Sequence, residues 1–145
     1  MINYRTEQTI NRPVADVFPY VAEPTLYPHW MPVSEVRVAT PGGTRVGASA
    51  QMQMKMGSRS APFTYEVTEY EPNAKVRFRT TEGPMGWDGT FTLEPIGAGA
   101  TRIVGSGSIQ LKGWQRLMAP FMRGEVQRGE AAELAALKKL LESQA

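Results

Sequence analysis

The chain contains no cysteine and a single histidine, His29. The first absence excludes disulfide frameworks, thiolate zinc sites, iron–sulfur clusters and cysteine nucleophiles. The second excludes any metal site built on two imidazoles and leaves a serine–histidine–aspartate arrangement only one histidine to use. Aspartate is nearly as scarce, confined to Asp16 and Asp88, so a catalytic aspartate pair has little support. No metal and no cofactor is expected. Charge is close to balanced, with 16 Lys+Arg against 14 Asp+Glu and the basic residues scattered. A pI near 9.0 therefore carries little weight for nucleic-acid binding, and none is expected. No apolar run approaches the roughly 18 residues that span a bilayer, and the opening MINYRTEQTI lacks the basic and apolar regions of a signal peptide. The expectation is a cytoplasmic protein without an integral membrane segment.

What is present is a chain of 145 residues with 41% hydrophobic content, enough to bury one core without staples and too short for a second full domain. Residues 1–145 are read as one domain. Ile2, Tyr4, Thr6, Gln8 and Ile10 alternate with Asn3, Arg5, Glu7 and Thr9, the period of a strand with a charged outer face. Asn11-Arg12-Pro13 ends it, and Pro13 suits the first position of a short helix that runs to about Ala22. Its stripe is Val14, Val17, Phe18 and Val21. Pro24, Pro28 and Pro32 allow at most one further helical turn.

From Ser34 to Leu111 strand-length runs alternate with turn signals, predicting six more strands in a meander. In the second of these, Val46, Ala48, Ala50, Met52, Met54 and Met56 share one face, with a turn expected at Gly57-Ser58-Arg59-Ser60. In the fifth, Trp87, Gly89, Phe91 and Leu93 oppose Asp88, Thr90, Thr92 and Glu94. In TYEVTEYE, Val67 and Tyr70 have opposite parity, so either one points outward or a bulge intervenes. The tail from about Lys112 to Ser143 has helical spacing, with Pro120 expected to kink or restart it. The sum is an α+β helix-grip fold, in which a curved antiparallel seven-stranded sheet wraps a long C-terminal helix and two short helices follow the first strand.

These segments also carry a family resemblance. INRPVADVFPYVAEPTLYPHWMP, then EVTEYEPN, the TLEP-x-G-x-G-x-TR turn and the terminal ELAALKKLLE together resemble the START/SRPBCC superfamily, in particular its polyketide cyclase/dehydrase-like branch. The specific part is the order Pro13, Val17, Phe18, Pro28, Trp30, then Glu69, Pro72 and Thr101-Arg102. The resemblance spans essentially the whole chain. It implies a cavity between the concave face of the sheet and the terminal helix, used in the superfamily for lipids, sterols, polyketides and other hydrophobic small molecules. It does not imply one reaction, since members range from aromatase/cyclases to carriers, and no motif here carries over their catalytic positions.

The residues themselves supply the candidates. Met52, Met54 and Met56 offer a polarizable, adaptable wall for an apolar ligand, a reading favoured over plain core filling if the strand faces a cavity. Trp30, Trp87 and Phe91 are read as further lining, and Met118, Phe121 and Met122 as the helix's contribution, against the ordinary reading of apolar stripes as core. Gly105 and Gly107 leave one face of the last strand almost empty, which makes either a cavity or relief of crowding. His29 is the one side chain that ordinarily titrates near neutrality, and Glu66 gains interest if it points inward; both are weak catalytic candidates. Two functions follow. One is a carrier or sequestering protein for a hydrophobic, lipid- or polyketide-like molecule; the other is a metal-free cyclase or dehydratase using the same cavity. A third reading is a module whose helix or sheet edge meets another chain, and a homodimer is allowed.

Overall fold

The computed structural model describes residues 1–56 and 58–144, apart from the side chain of Met56; of the turn expected at residues 57–60, Gly57 falls outside the described residues, while Arg59 and Ser60 already belong to a strand. The first strand, β1 (Ile2–Ile10), buries alternate residues as its pattern requires, with Ile2, Tyr4, Thr6 and Ile10 inside. Helix α1 (Val14–Ala22) follows; Pro13 stands one position ahead of it as the cap, and its carbonyl accepts the Asp16 and Val17 amides. A 3₁₀ turn at Pro24–His29 then leads into the sheet.

Strands β2 (Val33–Val38), β3 (Ser49–Met56), β4 (Arg59–Glu71), β5 (Lys75–Glu82), β6 (Gly86–Ile96) and β7 (Ala100–Gln110) form the meander. Strand β1 pairs with β7, giving the seven-stranded order β1-β7-β6-β5-β4-β3-β2. Two departures from simple alternation have local causes. Strand β3 starts at Ser49 rather than Val46, because Gly47 takes φ +88° and Val46 is turned out to solvent. In β4 the register shifts between Val67, opposite Phe78, and Glu69, opposite Arg77. That bulge resolves the parity conflict: Val67 is buried, and Tyr70 turns back to pack its ring 5.7 Å from Phe18.

After a 3₁₀ turn at Gly113–Met118, helix α2 (Ala119–Glu142) crosses the sheet and buries Leu134, Leu137 and Leu141. Pro120 stands in its first turn, where a missing N–H costs nothing, so the proline restarts the helix rather than kinking it. Polar side chains of α2 also engage the free edge of β1. The Gln127 amide donates to the Arg5 carbonyl (2.7 Å) and accepts the Arg5 N–H (3.3 Å), Lys138 Nζ donates to the Thr9 carbonyl (2.6 Å), and Glu142 accepts the Asn11 N–H (2.8 Å). An edge that would otherwise be open to strand addition is thereby occupied. Among the described residues no helix is long and apolar enough to cross a membrane.

Candidate functional site

Between the concave face and α2 lies an inner cavity of about 150 Å³. Its sheet wall is built from inward positions of successive strands: Met52 and Met54 on β3, Phe63 and Tyr65 on β4, Thr80 on β5, Trp87 on β6 and Ile109 on β7. Tyr27, Met31 and Pro32 close one side, Pro84 and Met85 of the β5–β6 turn another, and Glu130 and Glu133 of α2 form the roof. A second recess of about 520 Å³ adjoins it along α2; the two share Met54, Met85, Ile109 and both glutamates, and the recess adds Trp30, Val126 and Gly129. An apolar chamber the size of the inner one takes a benzene-sized group, and the recess brings the total into the range of small-molecule sites, roughly 300–1,000 Å³.

An aromatic layer stiffens the floor. Phe78 stands 4.5 Å from Trp87, 5.4 Å from Tyr65 and 5.8 Å from Phe91, and Phe91 meets Trp30 at 5.7 Å. The Trp87 indole N–H donates to Tyr4 Oη at 2.7 Å, and the Trp30 N–H donates to the Tyr20 carbonyl at 3.0 Å. Tyr27 donates its hydroxyl to the Val21 carbonyl at 2.8 Å. Burial pushes the Tyr65 hydroxyl up to about 12 and those of Tyr27 and Tyr4 well above the usual phenol range. For Tyr4 the negative charge of Glu130 adds to burial. All three hydroxyls therefore stay protonated and serve as hydrogen-bonding groups, not bases.

The roof carries the acid–base chemistry. Glu130 and Glu133 are three residues apart on α2, so both reach the cavity from one helix face. Burial raises Glu133 well above the ordinary carboxylate range, and the charge of Glu130 raises it further. Burial raises Glu130 too, offset in part by a hydrogen bond from Glu133. The two titrate as a pair, and both carboxyls hold their protons to higher pH than ordinary carboxyls do. Such a pair presents both a donor and an acceptor to whatever enters an otherwise apolar space.

This arrangement fixes the sign of one pH effect. Folding raises both pKa values, so the stabilising contribution is complete below the ordinary carboxylate range and is lost as pH rises through the raised values. Lys55 lies on the same lining, and the Tyr4 phenol, near enough to feel the Glu130 charge, keeps its proton across that range. Glu133→Gln keeps a neutral hydrogen-bonding end. It is expected to stabilise the ligand-free protein by at least about 1 kcal/mol at pH 8 and to change little near pH 4, read by urea unfolding at the two pH values. An equal effect at both would mean that the carboxyl groups are solvated.

Several of the residues singled out in the sequence come together here: Met52, Met54 and Trp87 on the inner cavity and Trp30 on the recess. Others do not. Phe91 is buried in the aromatic layer behind the wall. Met118 and Phe121 are exposed and Met122, half-buried, is outside both linings, because α2 meets the cavity only from Val126 onward. His29 is exposed at the end of its 3₁₀ turn. Glu66 is held across the sheet by Arg79, whose Nε and Nη2 lie 3.0 and 2.7 Å from Oε1, and it does not reach the cavity. The space beside Gly105 and Gly107 is filled by Phe91 and the Tyr4 hydroxyl, which is relief of crowding and not a chamber. The two glutamates went unnoticed among good helix formers, although the stripe Val126, Glu130, Glu133, Leu137, Leu141 places them on the buried face.

The sequence profile of the family described as polyketide cyclase / dehydrase and lipid transport matches residues 1–142. The chain belongs to that family. No curated protein matches it in sequence. Among solved structures, TTHA0849 from Thermus thermophilus is similar with 19% identity and a TM-score of 0.81, the match covering 99% of each chain. The Zhui aromatase/cyclase from Streptomyces sp. R1128 is similar with 15% identity and a TM-score of 0.79, over 97% of this chain and 93% of its own. The di-domain ARO/CYC BexL of the BE-7585A biosynthetic pathway shares 20% identity at a TM-score of 0.79, covering 98% of this chain and 47% of that one. At these identities the likenesses establish the helix-grip fold of this polyketide cyclase / dehydrase and lipid transport family member, and the site has to be read from its own residues.

Proposed function

We propose that this protein binds a hydrophobic small molecule, lipid- or polyketide-like, in the cavity under α2 and acts as its carrier or sequestering protein. The observation that carries this reading is the two-part cavity, whose walls are mostly methionine, aromatic and aliphatic, with Glu130 and Glu133 of α2 in the lining of both parts. Burying the apolar body of a ligand there contributes about 25 cal/mol per Å². The methionines adapt to its shape, while Glu130 and Glu133 favour an end that donates and accepts hydrogen bonds. Native mass spectrometry of the protein purified from its host, followed by extraction and identification of the co-purifying molecule, tests it. A stoichiometric apolar ligand is the expected result; no added mass even after incubation with host lipid extract would count against it.

The carboxyl pair also favours a second reading, the cyclase or dehydratase. A carboxyl group that burial keeps protonated above the ordinary carboxylate range can give its proton to a departing hydroxyl, while a neighbouring carboxylate takes the proton next to a carbonyl, so that water leaves and a double bond forms. The cavity would hold the chain folded for that step. Turnover of a β-hydroxy carbonyl polyketide that both Glu133→Gln and Glu130→Gln abolish would decide for catalysis. Binding of the same compound without turnover would decide for carriage.

A further inference from the structure

We infer that the segment from Lys112 to Arg128 docks the protein on an anionic lipid surface. Trp114, Leu117 and Phe121 are 73%, 78% and 75% exposed, an unusual cost for three large apolar side chains in one stretch. Met118 and Ala119 both have helical dihedrals, so the 3₁₀ turn runs without a break into α2. Spacings of three and then four residues put the three side chains on one side of that rod. An aromatic and aliphatic ridge on an interfacial helix is the shape that sinks into the headgroup–acyl boundary.

Charge identifies the surface. Of the chain's 16 Lys+Arg and 14 Asp+Glu, the segment holds Lys112, Arg116, Arg123 and Arg128 against Glu125 alone. That leaves twelve cations and thirteen carboxylates elsewhere, so the whole positive excess of the chain belongs to this stretch. Among the described residues none of the four cations lies in an ion pair, and the first turn of α2 has no acidic residue. Arg128 folds back along the helix, its Nη1 lying 3.1 Å from where a Cβ on Gly124 would be, which brings its charge a turn nearer the ridge. A second copy fits less well: a two-fold contact would bring this cationic stretch against the same stretch of the other copy, and three side chains fall short of the roughly 800 Å² per partner of a stable interface. Val126, at the cavity recess, is five residues beyond Phe121, about 7.5 Å along the helix, so docking would set the recess close to the lipid.

The inference does not depend on what the cavity holds. It is tested by flotation with phosphatidylcholine vesicles containing about 30 mol % phosphatidylglycerol, against phosphatidylcholine alone. The protein is expected to float with the anionic vesicles and to be released as salt rises from roughly 0.05 to 0.5 M. Leu117→Gln with Phe121→Gln is expected to weaken binding at least about tenfold with no change in melting temperature, both side chains being exposed. Arg116→Gln with Arg123→Gln should weaken it on anionic vesicles and reduce the salt dependence. Trp114 emission should shift to the blue on binding, a shift that Trp114→Phe removes. Equal binding to neutral vesicles, no flotation, or flotation indifferent to both double variants would overturn the inference. So would a dimer in sedimentation that Leu117→Gln with Phe121→Gln converts to a monomer.

Discussion

Gly107→Ala is expected to cost at least about 3 kcal/mol of stability and to lower the melting temperature by on the order of 10 °C. Gly107 on β7 lies directly opposite both Gly89 on β6 and Tyr4 on β1. A Cβ there would overlap the Asp88 carbonyl oxygen and stand 2.8 Å from Tyr4 Oη and 2.9 Å from the Gly89 Cα. Two of those atoms are backbone in a central strand, so the strain cannot be relieved by a rotamer change. Displacing the Tyr4 hydroxyl would relieve only the third contact, and it would break the hydrogen bond from Trp87 beneath the cavity. Gly99→Ala supplies the control, since a Cβ there meets nothing within 4 Å and should change stability by less than about 0.5 kcal/mol. Thermal unfolding of the two variants checks the pair; a Gly107→Ala variant as stable as Gly99→Ala would mean that β6 and β7 lie farther apart than described.

Gly107 also marks where the sequence stops being informative. Alternation shows that a side of β7 lacks side-chain volume, but only the pairing register reveals that Tyr4, at the far end of the chain, fills it. Local periodicity serves well where one physical constraint dominates, as in β1, whose buried set follows from a period of two. It serves poorly where a turn or bulge resets the phase. Gly47 delays β3, and in β2 the register shift around Glu35, at φ +53°, interrupts the alternation of Val36 and Val38. The site followed the same division. Met52, Met54 and Trp87 were legible because strand parity aimed them inward. Glu130 and Glu133 were not, because charged residues on a helix ordinarily face water, and only a cavity under that face makes their position tolerable. Phe121 failed in the opposite direction: it has the chemistry of a core residue and lies one turn before the helix reaches the sheet.

Trp87→Ala is the variant expected to separate the two roles that one side chain plays. The indole lines the inner cavity, yet it also packs at a tilt with its ring 4.5 Å from that of Phe78 and donates to Tyr4 Oη. Truncation therefore removes ring packing and leaves a larger void, at a cost of about 3 kcal/mol, the lower end for a large aromatic because one side already borders a cavity. Trp87→Phe keeps most of the packing and loses only the indole donor, at a cost of about 1 kcal/mol. For a ligand whose ring sits in the inner chamber, the alanine variant should weaken binding by at least about tenfold, because the wall that excludes water from one face of the ring is gone. The phenylalanine variant should bind within about threefold of the parent, since the apolar wall survives. Ligands bulkier by one ring should respond in the reverse sense and gain affinity in Trp87→Ala, where the enlarged chamber admits them. Urea unfolding gives the stability terms, and titration with a graded series of one-, two- and three-ring aromatic probes gives the binding terms. A parallel loss of affinity for every probe would trace to the weakened fold, whereas a crossover with ring number would mark Trp87 as the residue that sets the depth of the cavity.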